Sequence, residues 1–161
     1  MTATSEFTAE ERNLLVRLPR WVAGAAAVAH LEGAAKTRQK LNNGFLAVGN
    51  GERTGNPLVA EIAAATLKIY DEDPQASGID PSTAEGTELV VQYALTAVTI
   101  LRTKAQPEEA SAYRRWLLTI VDNVIAGVRH SVLGYGGVEV HEDERTFRER
   151  VSTIMRRPSA E

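Results

Sequence analysis

The chain has 161 residues, 43% hydrophobic and 24% charged, with a formal charge of −3 and no cysteine. That size and balance suit one globular domain with a single core, and the missing cysteine excludes disulfides, thiolate nucleophiles and sulfur-ligated zinc or iron–sulfur clusters while suiting a reducing compartment, the cytoplasm by default. The negative balance argues against a nucleic-acid footprint, so the basic clusters Lys36, Arg38, Lys40 and Arg148, Arg150, Arg156, Arg157 read as solvated helix faces.

Met1 to Glu6 is polar and acidic, without the basic-then-apolar order of a signal peptide. Thr8 and Glu11 form the S/T-x-x-E box that satisfies two orphan amides at a helix start. Leu14, Leu15 and Leu18 supply the apolar stripe of that first helix up to Pro19, which has no N–H to give and is expected to kink or restart the rod. Arg20 to Leu31 continues as helix, small residues from Ala23 to Ala27 allow close approach of a neighbour, and Gly33 is expected to end it. Trp21 to Ala29 is the richest apolar run and falls far short of the roughly 20 residues of a membrane span.

Ala34 to Leu46 reads as a basic amphipathic helix with Leu41, Phe45 and Val48 on one side, weakened by Asn42, Asn43 and Gly44. Gly49 to Gly55 is a glycine and asparagine loop, after which Asn56 as cap and Pro57 at the first helical position launch Leu58 to Tyr70. Asp71 to Pro81 is an exposed connection. Ser82 or Thr83 then caps a helix to about Thr103, with Leu89, Val90, Tyr93, Ala94, Ala97, Val98, Ile100 and Leu101 inward.

Pro107, Glu108 and Glu109 open a long helix to about Arg129, where proline and acids suit the unpaired amides and positive end of the dipole. Its apolar positions, Tyr113, Trp116, Leu117, Ile120, Val121, Val124, Ile125 and Val128, step by three and four. Gly134, Gly136 and Gly137 follow, and Val132 to Val140 alternates briefly, enough for a short extended excursion. His141 to Glu144 opens a last helix whose Phe147, Val151, Ile154 and Met155 repeat at helical spacing until Pro158.

Among constellations that carry chemistry, Asn50 to Glu61 comes nearest to a pattern. Asn50, Glu52, Thr54, Asn56 and Glu61 fall at positions one, three, five, seven and twelve of an EF-hand loop, with Gly55 at six. Asparagine at position one, Pro57 at eight and only two carboxylates make this a weak calcium candidate, and a capped loop-to-helix turn explains the same residues. His30, His130 and His141 sit near helix ends, none within a turn of another, so no histidine metal motif forms. The carboxylate pairs Glu85 with Glu88 and Glu108 with Glu109 occupy first turns, where acids stabilise helices in any case. Gly134 to Gly137 follows a helix and lacks the strand-first frame of a dinucleotide fingerprint. Trp21 and Trp116 lie on apolar helical faces and read as core or interface anchors.

Lys104-Ala105-Gln106-Pro107-Glu108-Glu109, Tyr113-Arg114-Arg115-Trp116-Leu117 and Leu133-Gly134-Tyr135-Gly136-Gly137-Val138 together resemble a family of small uncharacterised proteins of actinobacteria and cyanobacteria. Its members read K-A-x-P-E-E, Y-R-x-W-L and G-F-L-G-x-G-G-x-x-V-S-x-x-E. The similarity is densest from Leu95 to Glu144. The resemblance implies a compact helical cytoplasmic protein of bacterial type and transfers no activity, cofactor or catalytic residue. Periodicity itself predicts an all-α, single-domain bundle of five to seven helices over residues 7–157, with flexible tails at 1–6 and 158–161. Arg20 to Leu31, Thr83 to Thr103 and Pro107 to Arg129 are its expected central elements. The functional expectation is a non-enzymatic protein that meets a protein partner or a second copy of itself, without cofactor, nucleic acid or membrane. The alternative is a weak ligand- or calcium-binding module on Asn50 to Glu61.

Overall fold

The computed structural model describes residues 6–31, 33–72, 83–126 and 140–156. They form an all-α bundle of six helices: α1 (Ala9–Val28), α2 (Ala34–Gly49), α3 (Pro57–Glu72), α4 (Ala84–Lys104), α5 (Pro107–Ala126) and α6 (Glu142–Met155), with a 3-10 turn over Asn50–Arg53 between α2 and α3. No strand occurs among the described residues, and no helix there is long and apolar enough to cross a membrane. Residues 1–5 and 158–161 of the expected tails, residues 73–81 of the expected connection, and His130, Ser131 and Gly134 to Gly137 with most of the extended excursion lie outside the described residues, whereas Asp71 and Glu72 continue α3.

Helices α1 and α5 each touch every other helix, so they form the axis of the core. On α5, Tyr113, Trp116, Leu117, Ile120, Val121, Val124 and Ile125 are all buried, as their spacing predicts. The caps hold too. Thr8 Oγ1 accepts from Glu11 N at 3.1 Å while Thr8 N donates to Glu11 Oε2 at 2.8 Å. Thr83 Oγ1 accepts from Gly86 N at 2.9 Å, and Gln106 N donates to Glu109 Oε2 at 3.1 Å.

Helix α1 runs unbroken through Pro19. Pro19 cannot donate to the carbonyl of Leu15 one turn earlier, and the Tyr113 hydroxyl donates to it at 2.8 Å instead. The next carbonyl, of Val16, lies 2.7 Å from the Thr66 hydroxyl. The Thr66 hydroxyl shares its proton between that carbonyl and Ile62 O, so it is Tyr113 of α5 that satisfies the carbonyl proline leaves without a donor, and neither a second helix start nor a loop is needed there. Helix α1 ends at Val28, short of Leu31, which is 72% exposed. Gly33, expected as a terminator of α1, is the cap of α2: its φ of +105° turns the chain, and its carbonyl accepts from Thr37 N and Thr37 Oγ1.

Gly44, a weak helix former, sits where α2 closely approaches α1 and α5. A Cβ there would lie 2.8 Å from Val124 Cγ2 and 3.0 Å from Ala23 Cβ. The missing side chain draws α2 onto α1 and α5 along Lys40, Asn43, Gly44, Ala47 and Val48, all buried. Leu41 and Phe45, expected inside with Val48, are therefore turned to the edge and are exposed. Leu89 on α4, also expected inward, is exposed, while Val90, Ala94, Ala97 and Leu101 fill the inner face.

Candidate functional site

One side of α5, at the edge of the core, carries Glu108, Ala112, Arg115 and Thr119, stepping by four and three along the helix. Beside them Trp116 turns inward, buried, with its ring edge-on to Tyr113 at 5.7 Å. Its Nε1 donates at 3.2 Å to the carbonyl of Ala47 near the end of α2, where the final helical carbonyls have no intrahelical donor. The chain then crosses the indole at Gly51, where a Cβ would stand 2.6 Å from Trp116 Cε2 and 2.8 Å from Ala63 Cβ. Only glycine fits between them, so the 3-10 turn is pressed against α5.

Beyond that turn the backbone is held by short-range hydrogen bonds. Thr54 Oγ1 donates to Gly51 O at 3.0 Å, Asn56 N donates to Thr54 Oγ1 at 3.3 Å, and Asn56 Oδ1 caps α3 by accepting from Val59 N at 3.1 Å. Gly55 has φ +77°, with no atom near the place a Cβ would occupy. An open groove of about 520 Å³ results, walled on one side by Asn50, Thr54, Gly55 and Asn56 and on the other by Glu108, Arg115 and Thr119, with Ala47, Ala112 and Trp116 as its floor.

The residues singled out for calcium divide at this groove. Asn50, Thr54 and Asn56 line it, whereas Glu52 stands exposed on the 3-10 turn and Glu61 is exposed on α3, neither belonging to the groove wall. The neutral oxygens and amides share one wall, and the two carboxylates do not join them. Among the described residues, no group of three His, Asp or Glu side chains is placed to hold a metal ion.

A second cluster had no sequence signal. The His30 ring, just past α1, stacks on His141, the cap residue of α6, with centroids 3.7 Å apart and planes 18° from parallel. His30 Nδ1 lies 3.3 Å from Asp143 Oδ2. Nearby on α6, Glu144 is fully buried; its Oε2 accepts from Lys40 Nζ at 2.9 Å and its Oε1 from His141 N at 3.2 Å. Lys40, read as part of a solvated basic face, is thus a buried partner of α6. On the last helix, Arg148 pairs with Asp122 and Arg150 with Glu88 at the surface. Trp21 stacks on Tyr93 at 5.0 Å and is only partly buried.

No protein-family model, curated protein or solved structure matches the chain.

Proposed function

We propose that this is a non-enzymatic cytoplasmic helical protein that acts by contact with another protein chain, a second copy of itself or a different partner, through the outer side of α2. The observation that supports this reading is the exposure of three large apolar side chains within little more than one turn: Leu41 at 43%, Phe45 at 40% and Leu46 at 59%. Phe45 meets Tyr70 edge-on at 5.2 Å, and the guanidinium of Arg20 lies 4.7 Å from the Tyr70 ring centre, so the patch extends onto α3 with an ordered aromatic border. Contiguous apolar surface of this kind is stabilised by a partner that removes it from water. The absence of cysteine suits a reducing compartment, and the motif resemblance to small helical bacterial proteins agrees with this reading.

Light scattering across a concentration series, on the wild type and on Leu46→Glu, tests it. The wild type is expected to exceed its 17.5 kDa monomer mass as concentration rises, and the variant to remain monomeric with unchanged helix content. A constant monomer mass removes self-association. Co-purification from native lysate that is indifferent to Leu46→Glu removes a heterotypic partner on this face.

A second reading is a weak ligand- or calcium-binding module on Asn50 to Glu61, favoured by the groove beside Asn50 and Thr54. Calcium that binds only the folded chain raises its melting temperature, and no shift at millimolar calcium removes the ionic form of that reading.

A further inference from the structure

We propose that the groove between the 50–56 turn and α5 binds an extended peptide about three residues long, with a positive group at its Glu108 end and a negative group at its Arg115 end. This site uses different residues from the α2 face and stands or falls without it.

The groove's chemistry selects the ligand class. Its volume of about 520 Å³ lies in the range of small-molecule sites, and a floor of Ala47, Ala112 and Trp116 leaves room for small side chains. Arg115 and Glu108 form no ion pair with each other or with any described residue. They stand about two helical turns apart, on the order of 10 Å along α5, which matches roughly three residues of extended chain. A phosphate or other compact anion would engage Arg115 and leave the Glu108 carboxylate, about 10 Å away, without a partner, and a divalent cation would find a single carboxylate. A ligand with separated opposite charges satisfies both ends.

The facing wall recognises what lies between those ends. The Asn50 carboxamide makes no hydrogen bond within the described residues, and the Asn56 carboxamide spends its oxygen on Val59 N and keeps its N–H donors. Each carboxamide presents groups complementary to a peptide unit. The Thr54 and Thr119 hydroxyls donate to Gly51 O and Arg115 O, at 3.0 and 2.9 Å; Thr54 Oγ1 also accepts from Asn56 N, and each oxygen keeps a lone pair to accept from a ligand N–H.

The test is an NMR titration with tri-alanine having free termini, with its N-acetyl and C-amide forms, and with blocked Lys-Ala-Asp, against wild type, Arg115→Ala and Glu108→Gln. Both variants change exposed side chains, and circular dichroism checks that they fold. Saturable shifts of the Asn50 and Asn56 side-chain amides are expected. Arg115→Ala should weaken the free tripeptide about ten-fold, as expected for loss of a charge-assisted hydrogen bond, and leave the C-amide form unaffected. Glu108→Gln should act in the same way as N-acetylation. Binding of the free tripeptide alone assigns the site to short free peptides; binding of blocked Lys-Ala-Asp assigns it to a segment of a longer chain. Shifts that do not saturate, that map away from the groove, or that are equal in all three proteins overturn the proposal.

Discussion

Tyr113 on α5 donates its hydroxyl proton to the Leu15 carbonyl on α1 at 2.8 Å, supplying the hydrogen bond that Pro19 cannot make. Both groups are buried, so the phenol is an anchor between the two central helices as well as a large core side chain.

Tyr113→Phe keeps the ring and removes that donor, leaving a buried carbonyl short of a partner. A loss of about 1–2 kcal/mol in urea unfolding is expected. In a Pro19→Ala background the restored backbone N–H serves the same carbonyl, so the cost of Tyr113→Phe should shrink. A double-mutant cycle measures this, and strictly additive effects would contradict the assignment.

Lys40 and Glu144 are a buried ion pair joining α2 to α6, with side-chain exposures of 11% and 1%. Lys40→Met strands the Glu144 carboxylate and should cost about 3–5 kcal/mol, whereas Lys40→Met with Glu144→Leu should recover much of that loss. Residual cost in the double variant reports the separate bond from His141 N to Glu144 Oε1. Chemical denaturation of the three variants checks both expectations, and a single variant as stable as wild type would show that the pair is not buried in solution.

Stability should fall at both ends of the pH range, for different groups. The Lys104 ammonium, 2.6 Å away, and the Thr8 backbone hold the Glu11 carboxyl below its ordinary 4.5, and Arg150 and Gln92 do the same for Glu88. A carboxyl depressed in the fold stabilises above its unfolded value, and that contribution disappears as pH falls through the folded value. Glu11→Gln and Glu88→Gln should therefore flatten the acid limb. Burial pushes the Tyr70 phenol up to about 12 and Tyr113 well above 10. Each keeps its contribution below the unfolded value near 10 and loses it as pH rises beyond, because the unfolded chain ionises first. Tyr70→Phe should reduce the alkaline loss; urea titrations from about pH 2.5 to 6 and 8.5 to 11 read both limbs.

Local signals sufficed for the helices because helix starts and faces are set within a few residues. The Thr8–Glu11 box, the Thr83 cap, Pro107 with its acidic turn, and the three-four spacing on α5 all appear where the sequence places them. The rotation of α2 was not legible, since Leu41 and Phe45 have the spacing of core residues. What turns them outward is the close approach of Val124 and Ala23 at Gly44, from helices remote in sequence. Of the candidate site, Asn50 and Thr54 were visible as candidate ligands, while Glu108 read as a helix-start acid and Arg115 and Thr119 carried no site signal until α5 was set against the turn.

The amino-acid order alone determined the all-helical class, the helix starts and the buried side of α5, because capping and 3.6-residue periodicity act within one segment of chain. Packing decided which partner each polar group received: Tyr113 for Leu15, Lys40 for Glu144, His30 for His141 and Asp143. Residues as far apart as 113 positions meet there, and no local rule encodes a distance that depends on how six rods settle against one another.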